Sequence, residues 1–243
     1  MKKRNGFVDM ILLAVAAVIL LFSLTKIFEI IQDYRTAEVS YEEAVDTYVS
    51  EPVEESEEEE RIIDFAGLKA VNPDVIGWIE LPDSKIDYPI LRGTDNERYL
   101  NETYDGKYSS SGSIFMDFRC SFDSSNVVIY GHNMKNGSMF RALNNYVEEE
   151  FYNGHRAYKI YTEEDGCKDY EIISCYITDA YSDAYKIAFD GQEDYESWIE
   201  EIVGKSLYEG MEADAHKNVI TLSTCRGTNS NVRFVVHLQE VDN

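Results

Sequence analysis

The sequence predicts a mainly β fold, a closed barrel with peripheral helices, behind one transmembrane helix. Three observations carry that expectation. About eight short runs rich in Val, Ile, Tyr and Phe are punctuated by Gly, Asn, Asp and Ser. Long helical periods between them are few, which favours a closed barrel over a parallel βαβ sheet. Residues 10–24 (MILLAVAAVILLFSL) form an uncharged apolar run near the start of the chain.

With Phe7, Val8 and residues 25–31, that run supplies the roughly 20 residues that cross a hydrocarbon core about 30 Å thick. A cleaved signal peptide competes, because a positively charged start suits both. The bulky TKIFEIIQDY that follows is unlike a small-residue cleavage site and favours an uncleaved anchor over residues 1–31. Lys2, Lys3 and Arg4 then place the N-terminus in the cytoplasm and the chain beyond about residue 32 outside the cell membrane. Residues 32–60 begin with helical character and end in EPVEESEEEE, with ten acidic residues and no basic one from Tyr41 to Glu60. Like charges at that density favour an extended, solvated stalk. The globular domain spans residues 61–243.

Within that domain, IIDFAGLKAVNPDVIGWIEL reads as a short helix broken at Asn72-Pro73, then a strand. IDYPIL is a strand whose Pro89 marks an edge or an end. TDNERYLNETYDG reads as a helical turn or loop, and GSIFMDF (112–118) and NVVIYGH (126–132) as strands. The second is a near-continuous apolar run, expected to be buried on both faces. SMFRALNNYVEEEFYNGH has helical spacing, and AYKIYT and CKDYEIISCYIT flank EEDG as a hairpin. EDYESWIEEIVGKSLYEG is the strongest helix of the domain, with Trp198, Ile199, Ile202 and Val203 as its apolar stripe. NVITLSTC and VRFVVHL then make a hairpin around RGTNSN, which brings Cys225 and Arg233 to neighbouring strand ends.

Composition narrows the function classes. The chain carries a formal charge of −24, and residues 1–31 are net positive, so the remainder is more acidic still. That charge repels phosphates and excludes nucleic acid as a partner. Four cysteines are too few for a disulfide framework. Cys167 and Cys175, in one expected strand, stand roughly 26 Å apart at about 3.3 Å per residue, beyond disulfide reach. No Cys or His spacing matches a zinc site, and no acidic cluster has calcium-loop spacing, so no metal or cofactor is expected.

A cysteine nucleophile needs a basic or cationic partner. Arg233 beside Cys225 favours the nucleophilic thiolate; a small buried cysteine near a surface arginine is the plainer alternative. Of the four histidines, His155 and His216 read as exposed turn residues, and His237 lies inside the last strand. His132 ends a buried strand and enters a loop through Gly131, where a rigid scaffold presents reactive groups.

YGHNMKNGSMF around His132, TLSTC ending at Cys225, and Arg233 eight residues later resemble the three signature positions of the sortase family. GSIFMDFR, DNERYLN and the helix near 193–208 resemble class B sortases more narrowly, and the resemblance covers about residues 62–240. It implies an eight-stranded barrel, membrane-anchored and extracellular, that acts as a cysteine transpeptidase without a cofactor. In such enzymes Cys225 attacks the carbonyl of a Thr in a C-terminal sorting signal and forms a thioester. His132 would move protons to the leaving amine and from the incoming one, and Arg233 would hold the oxyanion or the substrate carbonyls. Asn96, Leu100, Tyr185 and Ser223 match substrate-groove positions. The partners implied are a sorting-signal peptide of the NPxTx or LPxTG-like kind and a peptidoglycan amine. Some class B relatives instead join pilins through a lysine amine. Arg226 and Lys186 depart from the pattern and leave the motif preference open.

Overall fold

A computed structural model of the chain describes residues 6–50, 61–226 and 231–242. In chain order the elements are α1 (Gly6–Tyr48), β1 (Val49–Ser50), β2 (Ile62–Ile63), α2 (Phe65–Val71), β3 (Val75–Glu80) and β4 (Asp87–Leu91). There follow β5 (Ile114–Met116), β6 (Asn126–Tyr130), α3 (Glu149–Gly154), β7 (Ala157–Thr162) and β8 (Gly166–Asp179). The chain closes with α4 (Gln192–Gly204), β9 (Val219–Cys225) and β10 (Val232–Glu240). Short 3-10 turns occupy Arg98–Leu100, Phe140–Val147 and Asp183–Tyr185. The RGTNSN turn falls mostly in residues 227–230, outside the described residues.

Strands β3 to β10 close into the expected eight-stranded barrel, in the order β10-β8-β7-β3-β4-β5-β6-β9. It is mixed: β4–β5 and β6–β9 pair in parallel, and the other neighbours are antiparallel. Period-two alternation sorts β9 and β10 between two layers. Ile220, Leu222, Phe234, Val236 and Leu238 join the main core. Val219 and Val235 face the other way, into a smaller cluster under Trp198, Ile199 and Ile202 of α4. The same parity carries Ser223 and Cys225 onto that outer face.

Two expectations change. Pro89 lies neither at an edge nor at a strand's end, since a closed barrel has no edges. It sits opposite Trp78 of β3, in the part of β4 that β5 does not cover, because β5 pairs only with Ile90 and Leu91. The ladder therefore needs no N–H from the proline on that side. The second concerns residues 32–48, whose helical character was expected but whose packing against the barrel was not. They continue α1 as helix, and Ala37, Tyr41 and Ala44 are buried against the barrel. Their spacing of four and three residues makes an apolar stripe, and charge repulsion is relieved because the acidic side chains occupy the exposed faces. The Tyr41 hydroxyl donates to the Gly112 carbonyl at 2.7 Å and approaches Ser113 Oγ at 3.0 Å. The EPVEESEEEE end lies outside the described residues.

His237 is packed rather than exposed. Its ring nitrogens meet Thr221 Oγ1 (2.9 Å) and the Tyr176 hydroxyl (3.2 Å), with Trp198 edge-on. Burial holds its imidazole down at about 3. The unfolded chain takes up that proton below about 6.5, and the folded one does not until about 3, so stability falls with pH through this window. At pH 5 this one group should remove about 2 kcal/mol relative to pH 7. Denaturant titrations at both pH values test this: His237→Gln should lose that much less than the native chain, and equal losses would refute it.

Candidate active site

One cleft of about 350 Å³ collects all seven residues singled out from the sequence: Asn96, Leu100, His132, Tyr185, Ser223, Cys225 and Arg233. Phe115, Arg119, Tyr130, Gly131, Ala180 and Thr224 complete its lining. Arg233 lies directly across the β9–β10 ladder from Cys225. Directly opposed side chains start about 5 Å apart at Cβ, within reach of a guanidinium and a sulfur. Among the described residues the carbonyl of Cys225 is held from two sides, by Asn133 Nδ2 at 2.8 Å and Asn144 Nδ2 at 3.3 Å. The strand end that presents the thiol is therefore tied to the loop that presents His132.

His132 leaves β6 through Gly131, whose N–H donates to the Ser223 carbonyl at 3.1 Å. A Cβ at position 131 would stand 2.5 Å from Ile114 and 2.7 Å from Phe140, so only glycine leaves room for the Ile114 side chain of β5 and the Phe140 ring to pack against this strand end. The imidazole Nε2 lies 2.8 Å from the carbonyl of Leu100. A carbonyl can only accept, so Nε2 carries a proton, and Nδ1 is the nitrogen that can gain or lose one. No hydrogen bond joins His132 to the Cys225 sulfur among the described residues, although both line the cleft.

Asp117, buried in the turn after β5, organises one wall. Its carboxylate accepts from Arg119 Nε and Nη2 (both 2.8 Å), Asn96 Nδ2 (2.9 Å) and the Tyr130 hydroxyl (3.1 Å). Burial opposes its ionisation, but the Arg119 bonds and the Asn96 amide prevail and hold its carboxyl down at about 2. Asn96 also accepts from the Phe118 N–H at 3.0 Å, so its amide is committed to this turn on both sides. Tyr130 stacks on Tyr185 with ring centroids 6.3 Å apart, and the Tyr185 hydroxyl bonds Ser223 Oγ at 2.8 Å. Burial raises the Tyr185 hydroxyl above its ordinary range, against the pull of Ser223, which keeps it a donor at neutral pH.

Sequence reasoning missed Asp117, Arg119, Asn133 and Asn144. Three of them sit in GSIFMDFR and YGHN, beside residues that were singled out. The two departures, Arg226 and Lys186, do not line the cleft. Arg226 places its guanidinium over Phe234, and Lys186 pairs with Asp194 of α4 at 2.6 Å.

Residues 79–241 match the Sortase domain family. The chain belongs to the sortase family. It is 36% identical over 163 residues to sortase B of Listeria monocytogenes, across 65% of this chain and 65% of that protein. Its curated relatives are thus matched over about two thirds of their length. The crystal structure of sortase B from Bacillus anthracis superposes with a TM-score of 0.76 at 34% identity, covering 88% of this chain and all of that one. A Staphylococcus aureus sortase B–substrate complex gives a TM-score of 0.68 at 30% identity, over 73% of this chain and 84% of that one.

The Asp117 wall makes a prediction for this sortase. Asp117→Asn keeps the shape but replaces a carboxylate that accepts from three side chains by an amide that also donates. Released Asn96, Arg119 and Tyr130 should raise KM for a donor peptide by about tenfold, roughly 1.4 kcal/mol, with kcat changed less than threefold. Steady-state kinetics on folded protein read this directly, and an unchanged KM would remove Asp117 from substrate positioning.

Proposed function

We propose that this chain is a membrane-anchored class B-type cysteine transpeptidase that cuts a C-terminal sorting signal after Thr and transfers the new carboxyl end to a cell-wall peptidoglycan amine. The observation that carries the reading is the placement of Cys225, Arg233 and His132 on one cleft lining. The Cys225 thiolate attacks the Thr carbonyl, and the guanidinium of Arg233 donates to the oxygen as negative charge grows on it. His132, its ring fixed by Leu100 at Nε2, gives the proton from Nδ1 to the departing amine, which leaves a thioester. The same nitrogen takes a proton from the incoming amine as it attacks, and the thiolate leaves. Tyr185 and Ser223 form the floor on which the sorting motif lies, while Asn96 shapes the wall through Asp117.

The N-terminal part of α1 is long and apolar enough to cross a membrane. We read it as a single-pass anchor with its N-terminus in the cytoplasm and the barrel outside, as the positive residues at its start favour. The acidic 32–60 segment lies between anchor and barrel in this scheme, its helical half serving as a strut.

A peptide library of NPxTx and LPxTG variants, offered with diglycine, pentaglycine, diaminopimelate and a lysine-bearing pilin peptide, tests the function by mass spectrometry. Ligated product with a cross-bridge amine is expected. Ligation only to the lysine peptide would make the protein a pilin polymerase, and hydrolysis alone would make it a protease.

A further inference from the structure

The apolar surface of α1 does not stop with the run that ends at Leu24. Ile27, Phe28, Ile30 and Ile31 are all exposed, and the charges among them, Lys26 and Glu29, pair with each other at 2.6 Å. Two residues later the barrel begins to touch the helix. The Asp33 carboxylate accepts from the Ser110 N–H at 3.1 Å and from the Ser110 hydroxyl, and Ser109 Oγ reaches the Asp33 carbonyl at 3.4 Å. Higher up, Ser40 Oγ bonds Asp105 at 3.1 Å and accepts from Lys107 Nζ at 3.3 Å. Residues 105–110 therefore run down the helix towards its apolar end.

At about 1.5 Å per residue, Asp33 lies only about 3 Å along the axis from Ile31. The headgroup region on each side of a hydrocarbon core is about 5–7 Å deep. Ser110 consequently stands at headgroup depth whenever the helix is inserted up to Ile31. Tyr108, two residues away, is 77% exposed. An aromatic ring with a polar tip is the side chain that membrane interfaces favour.

We propose that residues 105–110 form a second membrane contact, with Tyr108 seated among lipid headgroups of the leaflet from which α1 emerges. The partner is the lipid interface itself rather than anionic lipid, because the chain is strongly acidic and Lys107 is already paired with Asp105 at 2.6 Å. Such a contact would fix the height of the cleft. The segment leads back through the Ser109 N–H to Asn101 carbonyl bond (3.0 Å) to Leu100, whose carbonyl holds His132. The proposal rests on the reading of α1 as an anchor, and its test separates the two.

The full chain is placed in phosphatidylcholine nanodiscs that carry a spin label either at the headgroup or at the acyl-chain end. The native tryptophans, Trp78 and Trp198, are both buried and give the background. Tyr108→Trp should lose at least about half of its added fluorescence to the headgroup label and much less to the deep one. Leu20→Trp, in mid-helix, should be quenched by the deep label. Quenching of Leu20→Trp with none of Tyr108→Trp would overturn the contact and leave the anchor standing. Failure to quench either would overturn both.

Discussion

Cys225→Ala is expected to abolish thioester formation and lower sorting-peptide cleavage by about 10⁴-fold or more, because no other thiol lines the cleft and its Ser223 and Tyr185 hydroxyls are bonded to each other. The remaining thiols are poor substitutes. Burial raises the thiols of Cys120 and Cys175 above their ordinary range, that of Cys175 to about 12, and neither these nor Cys167 lines the cleft. Folding should survive the change. The side chain is half-buried at a strand end, and the bonds from Asn133 and Asn144 go to its backbone carbonyl, which alanine retains. Loss of one sulfur at such a site costs about 1 kcal/mol or less. Intact-mass spectrometry with a sorting peptide reads the acyl-enzyme, and a thermal melt reads the fold. Cleavage at near-native rate by the folded variant would show that the nucleophile lies elsewhere.

The features legible in the sequence share one property: each is written in neighbouring residues. The alternation of VITLSTC and VRFVVHL set the register that puts Arg233 opposite Cys225. Gly131 followed by His132 at the end of an apolar run marked a strand delivering a polar group into a loop. What escaped depends on residues far apart in the chain. Asn144 reaches the Cys225 carbonyl across 81 positions and Asn133 across 92. Asp117 becomes a hub only when the Asn96 loop and β6 close on the turn that carries it, and an Asp-Phe-Arg turn by itself reads as an ordinary surface feature.

The docked half of α1 escaped for another reason. A stripe of Ala37, Tyr41 and Ala44 is narrow and weakly apolar, while Glu38, Glu42, Glu43 and Asp46 around it dominate any composition-based reading. The energetic argument for an extended stalk assumed uniform solvation of the segment. Burial of one tyrosine ring with its hydroxyl satisfied is worth about 2 kcal/mol or more. The weak repulsion of solvent-screened carboxylates does not outweigh it.

That docking leads to the second large effect. Gly112→Ala should destabilise the barrel and impair His132 together. Gly112 has a φ of 55°, a left-handed conformation that costs an L side chain about 1 kcal/mol. An added Cβ would also stand 2.4 Å from the Tyr99 carbonyl oxygen and 2.7 Å from that of Leu100. Both are backbone atoms, so the 99–101 turn itself must move, and the Leu100 oxygen is the one that bonds His132 Nε2. On the other side, Tyr41 of α1 grips the Gly112 carbonyl, so the residue cannot retreat without undocking the helix. A loss of about 3 kcal/mol or more in stability follows, with kcat lowered about tenfold or more in protein that remains folded at low temperature. Gly106→Ala supplies the control: its φ is 80°, yet its nearest neighbour stands 3.8 Å away, at the end of a flexible Glu102 side chain. It should show the backbone cost of about 1 kcal/mol and a native kcat. Tyr41→Phe probes the same route more gently, leaving the Gly112 carbonyl without its donor at a cost of about 1–2 kcal/mol. Native kcat in folded Gly112→Ala would mean that the Leu100 carbonyl does not orient His132, and the coupling between helix and cleft would fall with it.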